Sequence, residues 1–463
     1  MRLDFSDASR QSPLIACWKL FYPLAISMML SSTIGVLDMY LASIVGPEGQ
    51  AAVGIGDQMI FAVIVLGTGL SCAASSLVSR SVGAKQFSVC QTASFAALLL
   101  AAVIGILSTF AASGFAASFL KMFHCSPDVE SLAIPYTVLC SFANAPFIVV
   151  LCQSAIFRSL SRTDLALYVQ LLTVGSCHLL SWTLFFSDFD GGHSLTALSL
   201  AWVISSFIGA SAGMLMVIRL FAPLKTTDDF LSKSQMLKVL AELCKLAIPA
   251  VMAELAVVAA NFLLYGLSSG LTDAASAQAA LTVKLKIEET IALIPIMALG
   301  MAASVVVGQN VGAGEARTAY LSALRIAGFG AALALVVGAL VSMFAGVISN
   351  GFSNDLITQR GIFNYLILSI LYFPACAFST TIANAIEGAG STVMPMWMTL
   401  LILVLFRGIC AFVFAINFGL GIFGIAISLC LSQIIMACGS YFLLHFFFFR
   451  SGVIRSHCPT VCH

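Results

Sequence analysis

Twelve long apolar runs, separated by short polar breaks, constrain this chain more than any other feature: about 20–45, 51–79, 93–120, 131–157, 165–187, 195–222, 246–271, 275–309, 319–349, 361–386, 394–417 and 420–449. Each is long enough to cross the hydrocarbon core of a bilayer, which takes about 20 residues of helix. Only helices and closed barrels satisfy their backbone polar groups in lipid. The runs are continuous rather than alternating, which excludes a barrel and predicts an all-α polytopic membrane protein with 12 transmembrane helices. Composition agrees: 9% of residues are charged, against about 25% in soluble domains. A net charge of +1 leaves no basic field for a nucleic-acid partner. The expected surroundings are the lipid bilayer.

An even number of spans puts both termini on one side, and basic residues mark the cytoplasmic side. With the N-terminus inside, inner loops and termini hold 16 Lys and Arg and outer loops hold only Lys121 and Arg360. Lys284, Lys286 and Arg407 fall inside apolar runs. The expected location is the inner or plasma membrane, multi-pass, with cytoplasmic termini. MRLDFSDASRQSP at the start mixes acids and bases and does not read as a signal peptide. Most of the 14 cysteines lie in apolar runs as small hydrophobes and imply no disulfide framework. The tail HCPTVCH (457–463) has two His and two Cys, at a spacing unlike the usual zinc or haem signatures.

The longest charged interruption, 223–245, nearly halves the chain. AASSLVSRSVGAK (73–85) matches AASVVVGQNVGAG (302–314) at seven of thirteen positions, 229 residues on. The expected organisation is an N-lobe (1–222), a cytoplasmic linker (223–245), a C-lobe (246–449) and a cytoplasmic tail (450–463). Six helices per repeat is even, so the lobes are parallel-related six-helix units about an axis along the membrane normal, as in transporters that rock two lobes around a central site.

Pro23 and Asp38 on the first helix, SRSVGAK (79–85), VGQNVGAGEA (307–316) and AIEGAGST (385–392) together resemble the multidrug and toxic compound extrusion (MATE) family along nearly the whole chain. The resemblance implies an antiporter that exports an organic, often cationic and amphipathic small molecule as H+ or Na+ enters. No other cofactor is expected, and the protein is expected to be a monomer. The wider superfamily includes lipid-linked oligosaccharide flippases, which supplies the alternative of a lipid-linked precursor flippase. An enzyme is not expected: the outer and inner loops offer no HExxH, GxSxG or phosphate-binding glycine loop.

Intramembrane acids are costly and functional by default. Asp38 lies within the first span, where burial favours its neutral form and hydration its charged one. The resemblance implies that it is the N-lobe coupling site, with Pro23 as the hinge of that helix; the alternative is a structural acid near the outer interface. Family members with a developed N-lobe site add an Asn and an Asp on the fifth helix, where this chain has His178 and Trp182. That weakens a Na+ cage and shifts the expectation toward H+. Asp57 is read as standing near the start of the second helix, where an acid complements the helix dipole. In the C-lobe, Glu254 follows Pro249 and shares a helix face with Asn261 and Tyr265. It is the second coupling candidate, the alternative being an interhelical hydrogen-bond partner. KLKIEET places Lys284 and Glu288 at i,i+4 and Lys286 and Glu289 at i,i+3, spacings that neutralise each pair within one helix. The four are either a structural ion-pair cluster or a cavity lining that changes partners with the charge state of the site.

Overall fold

The structure, a computed structural model, describes residues 12–121, 127–187, 194–222, 233–271 and 273–449. The first eleven residues, 223–232 of the expected linker, and the tail 450–463 with its HCPTVCH motif lie outside them. The described residues are helical almost throughout and contain no strand. They form two compact units: Tyr22–Val78 with Gln86–Ala247, and the chain from Ile248 on together with Ser79–Lys85 and the stretch ending at Phe21.

The first half of the chain supplies α1 (Pro13–Val45), α2 (Pro47–Gly83), α3 (Phe87–Lys121), α4 (Pro127–Ser141), α5 (Asn144–Ser159), α6 (Thr163–Phe185) and α7 (Leu195–Phe221). The second supplies α8 (Lys233–Ser269), α9 (Ala274–Ile287), α10 (Ile294–Gly312), α11 (Ala316–Met343), α12 (Ala345–Phe352), α13 (Leu356–Ile367), α14 (Ser369–Gly388), α15 (Val393–Thr399), α16 (Arg407–Phe412) and α17 (Gly421–Phe449). Among the described residues, eleven helices are long and apolar enough to cross a bilayer, and α4 with α5, bent by 49°, brings the number to twelve if the pair is one span. Two element boundaries differ from expectation. The second part of the expected linker, 233–245, is the start of α8, because KSQMLKVLAELCK has no Gly or Pro to stop a helix running into the following span. The second helix starts at Pro47, a residue suited to a first helical turn, so Glu48 is its first-turn acid and Asp57 stands ten residues in.

The break between α4 and α5 has a local cause. Pro146 has no N–H to give, and the chain tightens before it, with the amides of Phe142 and Ala143 reaching back to Leu139 and Cys140. The freed Ser141 carbonyl accepts a hydrogen bond from Thr109 Oγ1 of α3 at 2.9 Å. In the second half Ser342 Oγ of α11 serves the Ile367 carbonyl at the break before α14, at 3.2 Å. Such side-chain rescue is what allows broken helices within a membrane.

The repeat is visible as geometry. α2, α5, α10 and α14 end in turns where Lys85, Ser161, Gly314 and Gly390 take positive φ (57°, 57°, 78° and 102°). The second pair stands 229 positions after the first. After α5 the Arg162 amide bonds the Phe157 carbonyl, and after α14 the Ser391 amide bonds that of Ile386. This is the Schellman pattern at a helix C-terminus. Between α9 and α10 the helix widens to π geometry over Glu288–Leu293, just ahead of Pro295. The wider turn relieves the ring of a clash with the preceding carbonyls. Large apolar side chains such as Phe110, Phe442 and Met343 point outward, as a lipid-facing exterior requires.

Candidate functional site: buried charges in each unit

In the first unit α1 carries Asp38, 9% exposed, with its Oδ1 unpartnered. It sits beside a cluster of buried apolar side chains that includes Leu41, Ala42, Val53 and Ala133. The charge that acts on it is the carboxylate of Asp57 on α2. Asp57 in turn accepts a hydrogen bond from the Tyr136 hydroxyl of α4 at 3.4 Å. Gly56 makes this possible: a Cβ there would lie 2.8 Å from the Tyr136 ring and 2.9 Å from Thr137 Oγ1. His178 and Trp182 on α6 are turned elsewhere. The His178 ring lies 3.2 Å from Thr33 Oγ1, and Trp182 packs against Phe186 with tilted rings, centroids 4.9 Å apart. Pro23 sits within α1, which continues through it as one helix.

In the second unit both ion pairs form at the predicted spacings. Lys284 bonds Glu288, both buried. Lys286 bonds Glu289 at 2.9 Å with both side chains exposed. Tyr372 packs on the buried pair, with the Lys284 ammonium 4.4 Å from its ring centroid. Lys284 also borders a small cavity with Tyr365 and Ser369, and the Tyr365 hydroxyl is buried without a partner. Arg407, buried on α16, has neutral partners, Ser432 Oγ at 2.8 Å and Gln433 Oε1 at 3.1 Å, and Gln433 passes the chain on to Ser379. Glu254, Asn261 and Tyr265 line one side of α8. Tyr265 meets Thr282 of α9 at 2.9 Å, while no hydrogen bond or ion pair joins half-buried Glu254 to Lys284 and Glu288.

The structure therefore groups Asp38 with Asp57 and Tyr136, and Lys284 with Glu288 and Tyr372, and leaves Glu254 apart. The two tyrosines were not singled out by sequence reasoning. Their only signal is a phenol inside an apolar run, and the partners they meet, Asp57 and Lys284, lie 79 and 88 positions away.

The MatE family model matches residues 23–183 and 249–413, well over half of the chain. The chain belongs to the MatE family. MatE proteins are transporters rather than enzymes, and Asp38 and Glu254 each fall inside a matched stretch. A relative named "Probable multidrug resistance protein NorM" from Geobacillus kaustophilus (strain HTA426) is 24% identical over 394 residues, covering 82% of this MatE chain and 84% of its own. A crystal structure of a MATE in complex with MaD3S has a TM-score of 0.85 at 18% identity, covering 98% of this chain and 99% of that one. A MOP superfamily transporter from Pyrococcus furiosus Vc1, described as having a binding pocket of reverse polarity, has a TM-score of 0.86 at 18% identity with the same coverage.

Proposed function

We propose that this MatE protein is a secondary active multidrug efflux antiporter. It exports amphipathic, cationic organic compounds in exchange for H+, with Na+ as the alternative coupling ion, by alternating access between two lobes. The observation that carries the reading is Asp38, a carboxyl on a membrane-spanning helix, nine-tenths buried, with one oxygen unpartnered. Such a group holds a proton when enclosed and releases it when water or a cationic ligand reaches it. NorM relatives named as multidrug resistance proteins support the substrate class. The protein works as a monomer in the inner or plasma membrane with both termini in the cytoplasm. A flippase of lipid-linked pyrophosphates calls for several free cations facing the ligand; here Lys284 and Lys286 are each held by a glutamate.

The test is proton release when ethidium is added to purified protein in weak buffer. Wild type releases protons, and Asp38→Asn abolishes release while Glu254→Gln retains it. Loss in Glu254→Gln alone moves the coupling site to the C-lobe, and no release from wild type, with no dye bound, removes the drug-antiport reading.

A further inference from the structure

Two polar contacts join α1 to α6 on partly exposed faces of both helices. Gln170 Nε2 donates to Ser31 Oγ at 2.7 Å, and two turns on His178 Nε2 lies 3.2 Å from Thr33 Oγ1. Polar groups exposed within a span face water or protein rather than lipid. A hydroxyl has one proton to give. Ser31 gives its proton to the Ser27 carbonyl at 2.9 Å and Thr33 gives its own to the Leu30 carbonyl at 2.6 Å, since a carbonyl only accepts. Toward α6 each hydroxyl is therefore an acceptor. The Gln170 amide meets that demand with an N–H, and His178 can meet it only with a proton on Nε2. Its other nitrogen, Nδ1, lies 2.9 Å from the Val174 carbonyl, again an acceptor only. Both ring nitrogens are asked to donate, which only the imidazolium does. A bare Nδ1 would set its lone pair against that carbonyl. A bare Nε2 fits once the Thr33 hydroxyl turns from Leu30 to the ring. Of the charged side chains on α1, α5, α6 and α7, Asp38 alone lies within two turns of the contact, five residues past Thr33; Lys19, Arg158, Asp164 and Arg219 stand near helix ends. The neutral titratable groups nearest in the chain are the adjacent Cys177 thiol and the Tyr40 and Tyr168 phenols.

We infer that His178 is a second proton-binding site of the first unit, seated for the imidazolium, and that its proton sets the direction of the Thr33 hydroxyl on the helix that carries Asp38. On deprotonation the Nε2 proton leaves to water and the Thr33 O–H rotates from the Leu30 carbonyl to the bare nitrogen. External pH thereby reaches α1 by a route separate from its carboxyl. The consequence for transport rests on the proposed role of Asp38, but the site itself is tested without any substrate.

The experiment is a nitrogen-15 NMR pH titration of the full-length protein, labelled at histidine and reconstituted in lipid, with His178→Gln subtracting the other histidines. At the acid end His178 is expected to show two protonated nitrogens, and raising the pH through the histidine range, about 5 to 8, is expected to remove the Nε2 proton and leave Nδ1–H. A neutral ring protonated at Nε2 overturns the inference. Thr33→Val keeps the shape, removes the hydroxyl and is expected to move the midpoint, and Thr33→Ser restores it; the same midpoint in wild type and Thr33→Val overturns the inference as well. Ethidium-driven proton release is then measured on both sides of the midpoint. It is expected to differ between the two in wild type and to be equal in His178→Gln, where Thr33 keeps a permanent N–H as Ser31 does from Gln170. Equal, non-zero release in wild type overturns the inference. No release from wild type at either pH, with the ring and the Thr33 shift as expected, sinks the antiport reading alone. Release with a neutral ring protonated at Nε2 sinks the His178 site alone.

Discussion

Glu288 is bound by the buried Lys284 ammonium, which would be left unmatched if the carboxylate charge were removed. Glu288→Gln is therefore expected to destabilise the protein by about 3 to 5 kcal/mol. The double change Lys284→Met with Glu288→Met recovers most of that loss, because it removes both charges together. The exposed pair behaves differently: Glu289→Gln costs less than about 1 kcal/mol. Thermal denaturation in one detergent compares all three. Asp355, the exposed N-cap of α13, makes a contrasting case. Its carboxylate accepts from the Thr358 hydroxyl and amide and from Ser276, which holds its pKa down at about 2. A carboxyl depressed in the folded state stabilises it above its unfolded value, about 3.9, and loses that contribution as pH falls toward 2. The stability difference between wild type and Asp355→Asn should be constant above about pH 5 and shrink as pH drops below 4. Of these residues, Lys284, Lys286, Glu288 and Glu289 were legible in the sequence because helical spacing alone pairs them. Tyr136 and Tyr372 were not, because their partners arrive from distant helices.

At the scale of elements, the helix ends carry the repeat more faithfully than the residues do. Lys85 and Ser161 occupy backbone conformations that their counterparts Gly314 and Gly390 adopt without a Cβ. A left-handed non-glycine residue costs roughly 1 to 2 kcal/mol, partly offset by the entropy that glycine loses on folding. Ser161→Gly should therefore raise stability by about 0.5 to 1 kcal/mol, and Gly390→Ala should lower it by about 1 kcal/mol, both read from thermal midpoints. The bend of the fourth span offers a second check. Thr109→Val keeps the shape and removes the hydroxyl that serves the Ser141 carbonyl, with an expected loss of about 1 kcal/mol, as for hydrogen bonds between membrane helices. The apolar runs announced the spans because hydrophobicity is local. They hid the breaks at Ser141 and Leu368 because a proline inside a run does not reveal whether the helix continues, as α1 does through Pro23, or stops.

For the whole molecule, the excess of basic residues on one set of loops predicts that a green fluorescent protein fused after His463 fluoresces and an alkaline phosphatase there stays inactive; the opposite pattern would place the termini outside. Two of the basic residues counted for that side, Arg80 and Arg158, are buried, Arg158 donating to Ser71 of α2 at 3.0 Å. The count thus mixes topological signal with packing. The turns at Lys85 and Ser161, matched by those at Gly314 and Gly390, also fix which positions between them correspond. They set Tyr365 opposite Tyr136. The phenol that meets an aspartate in the first half is thus kept in the second with no acid to receive it, the trace of a duplicated gene whose two copies inherited one backbone and divided the chemistry.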